Sequence, residues 1–225
     1  MKIWAISDTH GKHSQLIIPE GIDTVIHAGD STNHYGVENN KEFVDFIGWF
    51  KELPIKNKIL IPGNHDEWAL KKYNVDYVRS LGATLLIHEY LILDGITFFG
   101  SPYTPVFGNW HFMISRDKLN RYWDILDDTI DILITHGPPK GILDLGHDKQ
   151  NNLEYCGDSA LYKKIVNIQP TYHIFGHIHN SDGCHNSGVF KSSKLKTTFM
   201  NVSCVDDGRF NLGTTSNGQI FEINS

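Results

Sequence analysis

The stretch Ile59-Leu60-Ile61-Pro62-Gly63-Asn64-His65-Asp66 decides how this chain is read. A brief β-branched run, Lys58 to Ile61, is stopped by Pro62-Gly63, which predicts a buried strand with an abrupt end. An amide, an imidazole and a carboxylate follow the stop at once. In an open α/β sheet the loops beyond strand C-termini form the ligand crevice, so these polar side chains stand where chemistry is done. The same grammar, an apolar run followed directly by Asp, Asn or His, occurs at four other places. Lys2 to Ser7 delivers Asp8-Thr9-His10-Gly11, and Thr24 to Ala28 delivers Gly29-Asp30. Ile130 to Thr135 delivers His136-Gly137-Pro138-Pro139, and His173 to Phe175 delivers Gly176-His177-Ile178-His179.

Between these runs the periodicity changes. Val37 to Leu53 predicts an amphipathic helix with Phe43, Phe46, Ile47, Phe50 and Leu53 on one face. Glu67 to Leu81 reads as helix ending at Gly82. Thr84 to Ile87, Tyr90 to Leu93 and Ile96 to Phe99 read as strands, the last two joined by the hairpin signal Asp94-Gly95, so the sheet is not all parallel. Ser101 to Met113 is expected as a long loop rich in Tyr103, Phe107, Trp110 and Phe112. Ser115 then starts a helix that buries Leu119, Tyr122, Trp123 and Leu126. A loop over 141–157, a helix over Asp158 to Ile168, and closing strands at Lys196 to Ser203 and Gln219 to Ile223 complete the chain. No repeat or linker divides it, so residues 1–225 are expected to form a single α/β domain.

Composition excludes several classes. A net charge of −6 argues against a protein that coats DNA or RNA, so no stable nucleic-acid partner is expected. No apolar run approaches the ~18 residues of a membrane span, and the N-terminus lacks a signal-peptide pattern. Three cysteines without CxxC spacing point to a reducing, cytoplasmic setting rather than a disulfide framework.

Collected, the strand ends supply Asp8, His10, Asp30, Asn64, His65, His136, His177 and His179. Carboxylates, imidazoles and an amide oxygen form a mixed N/O donor set that suits Mn, Fe, Zn or Ni better than Ca or Mg. One ion needs about three or four protein ligands, so the set implies two divalent ions, with Asp30 best placed to bridge them. His34, on the loop after Asp30, and the aromatics Tyr103, Phe107 and Trp110 are candidate substrate contacts, a base stacking on the latter.

The five blocks resemble those of the calcineurin-like metallophosphoesterases and span most of the sequence. The resemblance implies a double β-sandwich of two mixed sheets flanked by helices. It implies that Asp8, His10, Asp30 and His179 hold one metal and that Asp30, Asn64, His136 and His177 hold the other. His65 is similar to the family's catalytic histidine, with Asp66 orienting it. Ile6-Ser7-Asp8-Thr9-His10, Gly100-Ser101-Pro102-Tyr103-Thr104-Pro105 and Thr135-His136-Gly137-Pro138-Pro139 further resemble the metallophosphoesterase domain-containing proteins. That subgroup implies a phosphodiesterase, with Mn a suitable metal, acting on small nucleotide or cyclic-nucleotide esters. Protein Ser/Thr phosphatases carry Arg after the Gly-Asp block; Ser31-Thr32-Asn33-His34-Tyr35-Gly36 has none, which speaks against that activity. The alternatives are a nuclease or phosphomonoesterase of the same superfamily, or a non-catalytic scaffold on the same fold.

Overall fold

A computed structural model describes residues 1–148, 150–181, 183–206 and 216–224 of the chain. The first part lays down β1 (Lys2–Ile6), β2 (Thr24–Ala28), α1 (Gly36–Glu52), β3 (Asn57–Ile61), α2 (Lys72–Ser80) and β4 (Thr84–Leu85). β5 (Glu89–Leu93), β6 (Ile96–Ser101), the short β7 (Thr104–Pro105) and β8 (Met113–Ile114), α3 (Arg116–Tyr122) and β9 (Ile132–Thr135) follow. The remainder holds β10 (Leu145–His147), β11 (Leu153–Tyr155), α4 (Ser159–Ile168), β12 (Tyr172–Phe175), β13 (Gly188–Lys191), β14 (Thr198–Asn201) and β15 (Gln219–Glu222).

Two mixed sheets result. One runs β15-β1-β2-β3-β4, the other β13-β14-β12-β9-β6-β5. Each has a parallel centre and antiparallel edges: β15 on the first sheet, β13 and β5 on the second. Their central strands are apolar on both faces, because each sheet packs against its fellow on one side and against helices on the other. Ile3 and Ala5 of β1, Ile26 of β2 and Ile59 of β3 meet Phe98 of β6, Ile132 and Ile134 of β9 and Ile174 of β12 between the sheets. Trp4, Ile6, Val25 and Leu60 point outward to Phe43, Phe46 and Phe50 of α1. Phe99, Leu133 and Phe175 point outward to Leu119 of α3 and Leu161 and Ile165 of α4. Each such buried ring or aliphatic side chain contributes roughly 1.5–3 kcal/mol. The expected sandwich, flanked by helices, is therefore the fold.

The two sheets touch where their parallel strands end. Ser7 and Ser203 form an isolated parallel bridge between the ends of β1 and β14, with Ser7 N donating to Val202 O at 3.0 Å and Cys204 N to Ser7 O at 3.0 Å. This seam brings turns from both sheets together.

Several expectations need correction. The helix expected over 67–81 is a 3₁₀ turn at Glu67–Leu70 followed by α2, with Lys71 extended at φ −98° and ψ 113°. The break lets Trp68 turn inward, where it is fully buried and stacks 4.5 Å from Phe43. Tyr122 is 37% exposed rather than core. The loop expected over 101–113 contains β7 and β8, and the one over 141–157 contains the β10–β11 hairpin. β13 has no counterpart among the expected strands. No described helix is long and apolar enough to cross a membrane.

Candidate metal centre

Backbone conformation aims the polar groups. Asp8, His10, Asp30 and His177 all lie in the left-handed region, at φ 51°, 43°, 57° and 71°. Such φ values cost a non-glycine residue of the order of 1 kcal/mol or more each and persist only where the surroundings enforce them. The kink at each strand end turns these residues back toward the seam between the sheets. Two glycines make the approach close enough. A Cβ at Gly63 would collide with the Asp30 carboxylate and stand 2.7 Å from His136 Cε1, and one at Gly176 would collide with the Asp8 carboxylate and the Ser7 hydroxyl.

The five turns meet in one place. His179 Nε2 lies 3.1 Å from Asp8 Oδ1 and 3.4 Å from His10 Nε2. His136 Nε2 lies 3.3 Å from Asp30 Oδ2 and 2.9 Å from Asn64 Oδ1, and His10 Nε2 lies 3.9 Å from that same Asp30 oxygen. Among the described residues, three groups have their donor atoms within 4.8 Å of one another: Asp8, His10 and His179; His10, Asp30 and His65; and Asp30, His136 and His177. Asp30 joins two of these groups, as a bridging carboxylate must.

The chemistry of the donor set fits a cation. His136 Nδ1 is 2.9 Å from Ala28 O and His10 Nδ1 is 3.1 Å from Thr32 O. A carbonyl only accepts, so both Nδ1 atoms carry the proton, and in a neutral ring Nε2 presents a lone pair. The outer hydrogen bond fixes tautomer and ring orientation, which is the way metal-binding histidines are held. The Nε2 atoms of His136 and His10 then face Asn64 Oδ1 and Asp30 Oδ2, oxygen acceptors that call for positive charge beside them, whether a proton or a cation. Asp8 is held by Ser203 Oγ at 2.9 Å and His177 N at 3.0 Å.

Electrostatics agree. Burial alone would raise Asp8, but His179 and then His136 outweigh it and hold the carboxyl well below the usual range. Asp30 is likewise buried yet held low by His136, His65 and His10. Burial depresses His10 to about 4 and His177 to about 3, so both rings are neutral ligand-type imidazoles at pH 7. His136 moves the other way: against burial, Asp30 and Asp8 raise it to about 9. A proton on His136 Nε2 thus answers the same acceptors that a metal ion would satisfy.

His65 has its Nδ1 2.9 Å from Asn33 O and its backbone N 2.8 Å from Asp30 Oδ1. Its ring lies 4.8 Å from His10 and 4.2 Å from Trp110, whose other neighbour is Tyr35, stacked at 5.3 Å. The expectation that Asp66 orients this ring is corrected. The Asp66 carboxylate accepts instead from Ser31 Oγ at 2.6 Å, Thr32 N at 3.1 Å, Gly63 N at 2.7 Å and Trp68 Nε1 at 3.1 Å. It ties the loops after β2 and β3 together, and the Asn33 carbonyl orients His65.

Of the candidate substrate contacts, Phe107 is 61% exposed and 5.2 Å from His177. Trp110 is occupied by the histidine. His34 lines the surface hollow that includes His10, with its Nδ1 2.7 Å from Glu42 Oε1. Tyr103 packs its ring 4.8 Å from Tyr122 and 5.4 Å from His88. Sequence reasoning missed Asn33, which acts through its carbonyl, and Glu42, which accepts from Asn33 N at 2.8 Å and His34 N at 2.9 Å. It also missed Ser203, which the strand-end pattern would have flagged had hydroxyls been included.

The calcineurin-like phosphoesterase family model matches residues 1–181. A Caenorhabditis elegans UPF0046 protein is 33% identical over 92% of this chain and 71% of its own length. Metallophosphoesterase domain-containing protein 1 of Homo sapiens is also 33% identical, over 88% of this chain and 64% of its own length. Among solved structures, TT1561 of Thermus thermophilus shares the fold at a TM-score of 0.58 and 14% identity, covering 89% of this chain and 88% of that one. The chain thus belongs to the calcineurin-like phosphoesterase family of metal-dependent hydrolases, in the company of the metallophosphoesterase domain-containing proteins.

Proposed function

We propose that this chain, as one domain over residues 1–225, is a dinuclear phosphodiesterase hydrolysing small nucleotide or cyclic-nucleotide esters in the cytoplasm. The observation that carries the reading is the convergence of the His136 and His10 Nε2 atoms on Asp30, with their Nδ1 protons tied to backbone carbonyls. Asp8, His10, His179 and Asp30 would hold one ion; Asp30, Asn64, His136 and His177 the other. When bound, two divalent ions spread the phosphoryl charge and bring the pKa of a water toward neutrality. Mn suits the donor set, as do Fe, Zn and Ni.

The chain's own groups do the rest. The buried carboxylates of Asp8 and Asp30 stay ionised and fixed, so the site needs no rearrangement as charge develops. His65 donates Nδ1–H to Asn33 O, which leaves the Nε2 lone pair toward the centre. After taking up a proton released by the attacking water, the imidazolium would hand it from Nε2 to the departing ester oxygen as the P–O bond breaks. Water oxygen is added to phosphorus and the alcohol leaves protonated, which balances the hydrolysis.

The test is metal analysis paired with hydrolysis of bis-p-nitrophenyl phosphate and p-nitrophenyl phosphate in added Mn, followed by a nucleotide panel. Cleavage of the diester in preference to the monoester is the expected result. Cleavage of the monoester alone would make the chain a phosphomonoesterase, and cleavage of neither by fully loaded protein would make it a scaffold.

A further inference from the structure

On the His177 side of the centre the surface opens into a cavity of about 370 Å³, within the size range of small-molecule sites. His177 forms part of its wall, so whatever stands over the metal centre extends into it. The far wall is the β10–β11 hairpin, which contributes no candidate ligand. Phe107 and Tyr155, 61% and 56% exposed, both line the cavity, with Pro138 and Ile178 adding apolar surface. Large rings left open beside a reactive centre are suited to stacking on a planar group, which would displace water from both faces.

The charges at this cavity narrow the class. Among the described lining residues Arg116 is the one guanidinium, and it is already engaged: Nη1 donates to Gly157 O at 2.9 Å and Nη2 to Cys156 O at 3.0 Å. Asp148 and Glu154 add negative charge to the same cavity. Asp148 is spent on the hairpin turn, accepting from Gln150 N and Asn152 N at 2.8 Å each. An additional phosphate would enter beside two carboxylates with no uncommitted guanidinium to receive it.

The geometry points to this cavity as the pocket for one ester substituent: an uncharged planar aromatic group, an aryl ring or a nucleoside, without further phosphate. The inference rests on the phosphoesterase reading above and adds which esters the site selects. Phe107 and Tyr155 are the specificity-determining residues, and Glu154 sets the charge discrimination.

The experiment compares kcat/KM for bis-p-nitrophenyl phosphate with that for methyl p-nitrophenyl phosphate, whose second substituent is too small to fill the cavity. Wild type should prefer the diaryl ester, and Phe107→Ala and Tyr155→Ala should each lower that preference by about tenfold, the scale of a lost stacking contact. Glu154→Lys should raise, several-fold or on the order of one contact, the relative rate on a nucleoside ester carrying an extra phosphate. An unchanged preference in both aromatic variants would overturn the proposal while leaving the hydrolase intact. Calorimetric titration of adenosine, which has no phosphate, into metal-loaded protein separates the two readings. Binding that weakens in Phe107→Ala, in a protein that cleaves neither ester, would keep the pocket and remove the hydrolase.

Discussion

Asp8, Asp30 and His136 at the floor of the centre are 0%, 2% and 0% exposed, whereas Phe107 and Tyr35 at its rim are 61% and 48% exposed. The floor is fixed several times over: left-handed backbone, glycines that admit no Cβ, and carboxylates held by hydroxyls and main-chain N–H groups. The rim is fixed once or not at all. Trp110 is pinned by its stack with Tyr35, while Phe107, on the same loop, is left open next to His177. The floor therefore holds its donor groups in one arrangement, and the rim leaves side chains free to meet whatever arrives. The division is useful because it assigns different sizes of effect to neighbouring residues.

The largest effect belongs to Asp30→Asn, because this carboxylate joins two of the donor groups. Metal content and activity should fall together, well beyond the ~10–100-fold that outer partners cost; an active, metal-replete variant would end the dinuclear reading. Next comes His65→Ala, for which kcat should drop about 10²-fold with metal content intact. Normal turnover there would remove His65 from the chemistry.

Trp110→Ala should cost about tenfold in kcat, short of the ~10²-fold that a 1 Å misplacement brings. It should cost nothing further in a His65→Ala background. A persistent loss in that background would mean that Trp110 meets substrate directly and belongs to the open rim.

Below the floor, His173 is fully buried with Nε2 2.8 Å from Thr135 Oγ1, and burial depresses it to about 3. Above pH 6.5 the ring is neutral folded or unfolded, so its contribution is fully present. As pH falls below that value the unfolded chain gains a proton that the folded chain refuses, and stability declines by up to ~1.4 kcal/mol per pH unit toward the folded pKa. Urea midpoints from pH 7 to 4 should show this slope added to that of the other buried imidazoles, His10, His27 and His177, and His173→Phe should lessen it by one proton's share. The smallest effect is His34→Ala, whose Glu42 partner is already held by two main-chain N–H groups; kcat should change less than about twofold, the range of ordinary surface substitutions. A loss comparable to that of His65→Ala would dissolve the distinction between floor and rim.

The floor was legible in the sequence because its signals are local. A buried strand announces itself by β-branched residues and a candidate donor by following the strand's end, so Asp8, Asp30, Asn64 and His136 could be named in order. The rim was legible only in part. Tyr103 and Phe107 share one loop and similar chemistry, yet one packs against Tyr122 and the other faces outward, a choice made by tertiary neighbours. The β10–β11 hairpin carries no period-two pattern because β11 is exposed along its whole length. The Asn33 carbonyl that orients His65 could not be read from any side chain. Helix 67–81 was overrun because propensity does not register the inward turn of Trp68, which Asn39 secures by accepting from its backbone N at 3.0 Å.

The tether on Asp8 has a consequence for synthesis. Its carboxylate is bonded to groups 169 and 195 residues downstream, His177 N and Ser203 Oγ. A chain emerging from the ribosome can pair β1 with β2 early, but the loop after β1 stays without these two partners until Ser203 has been made. Contacts of such long sequence separation form late and slowly. The pocket accordingly cannot close before Ser203 has been made, so its completion waits on the second sheet rather than on the first.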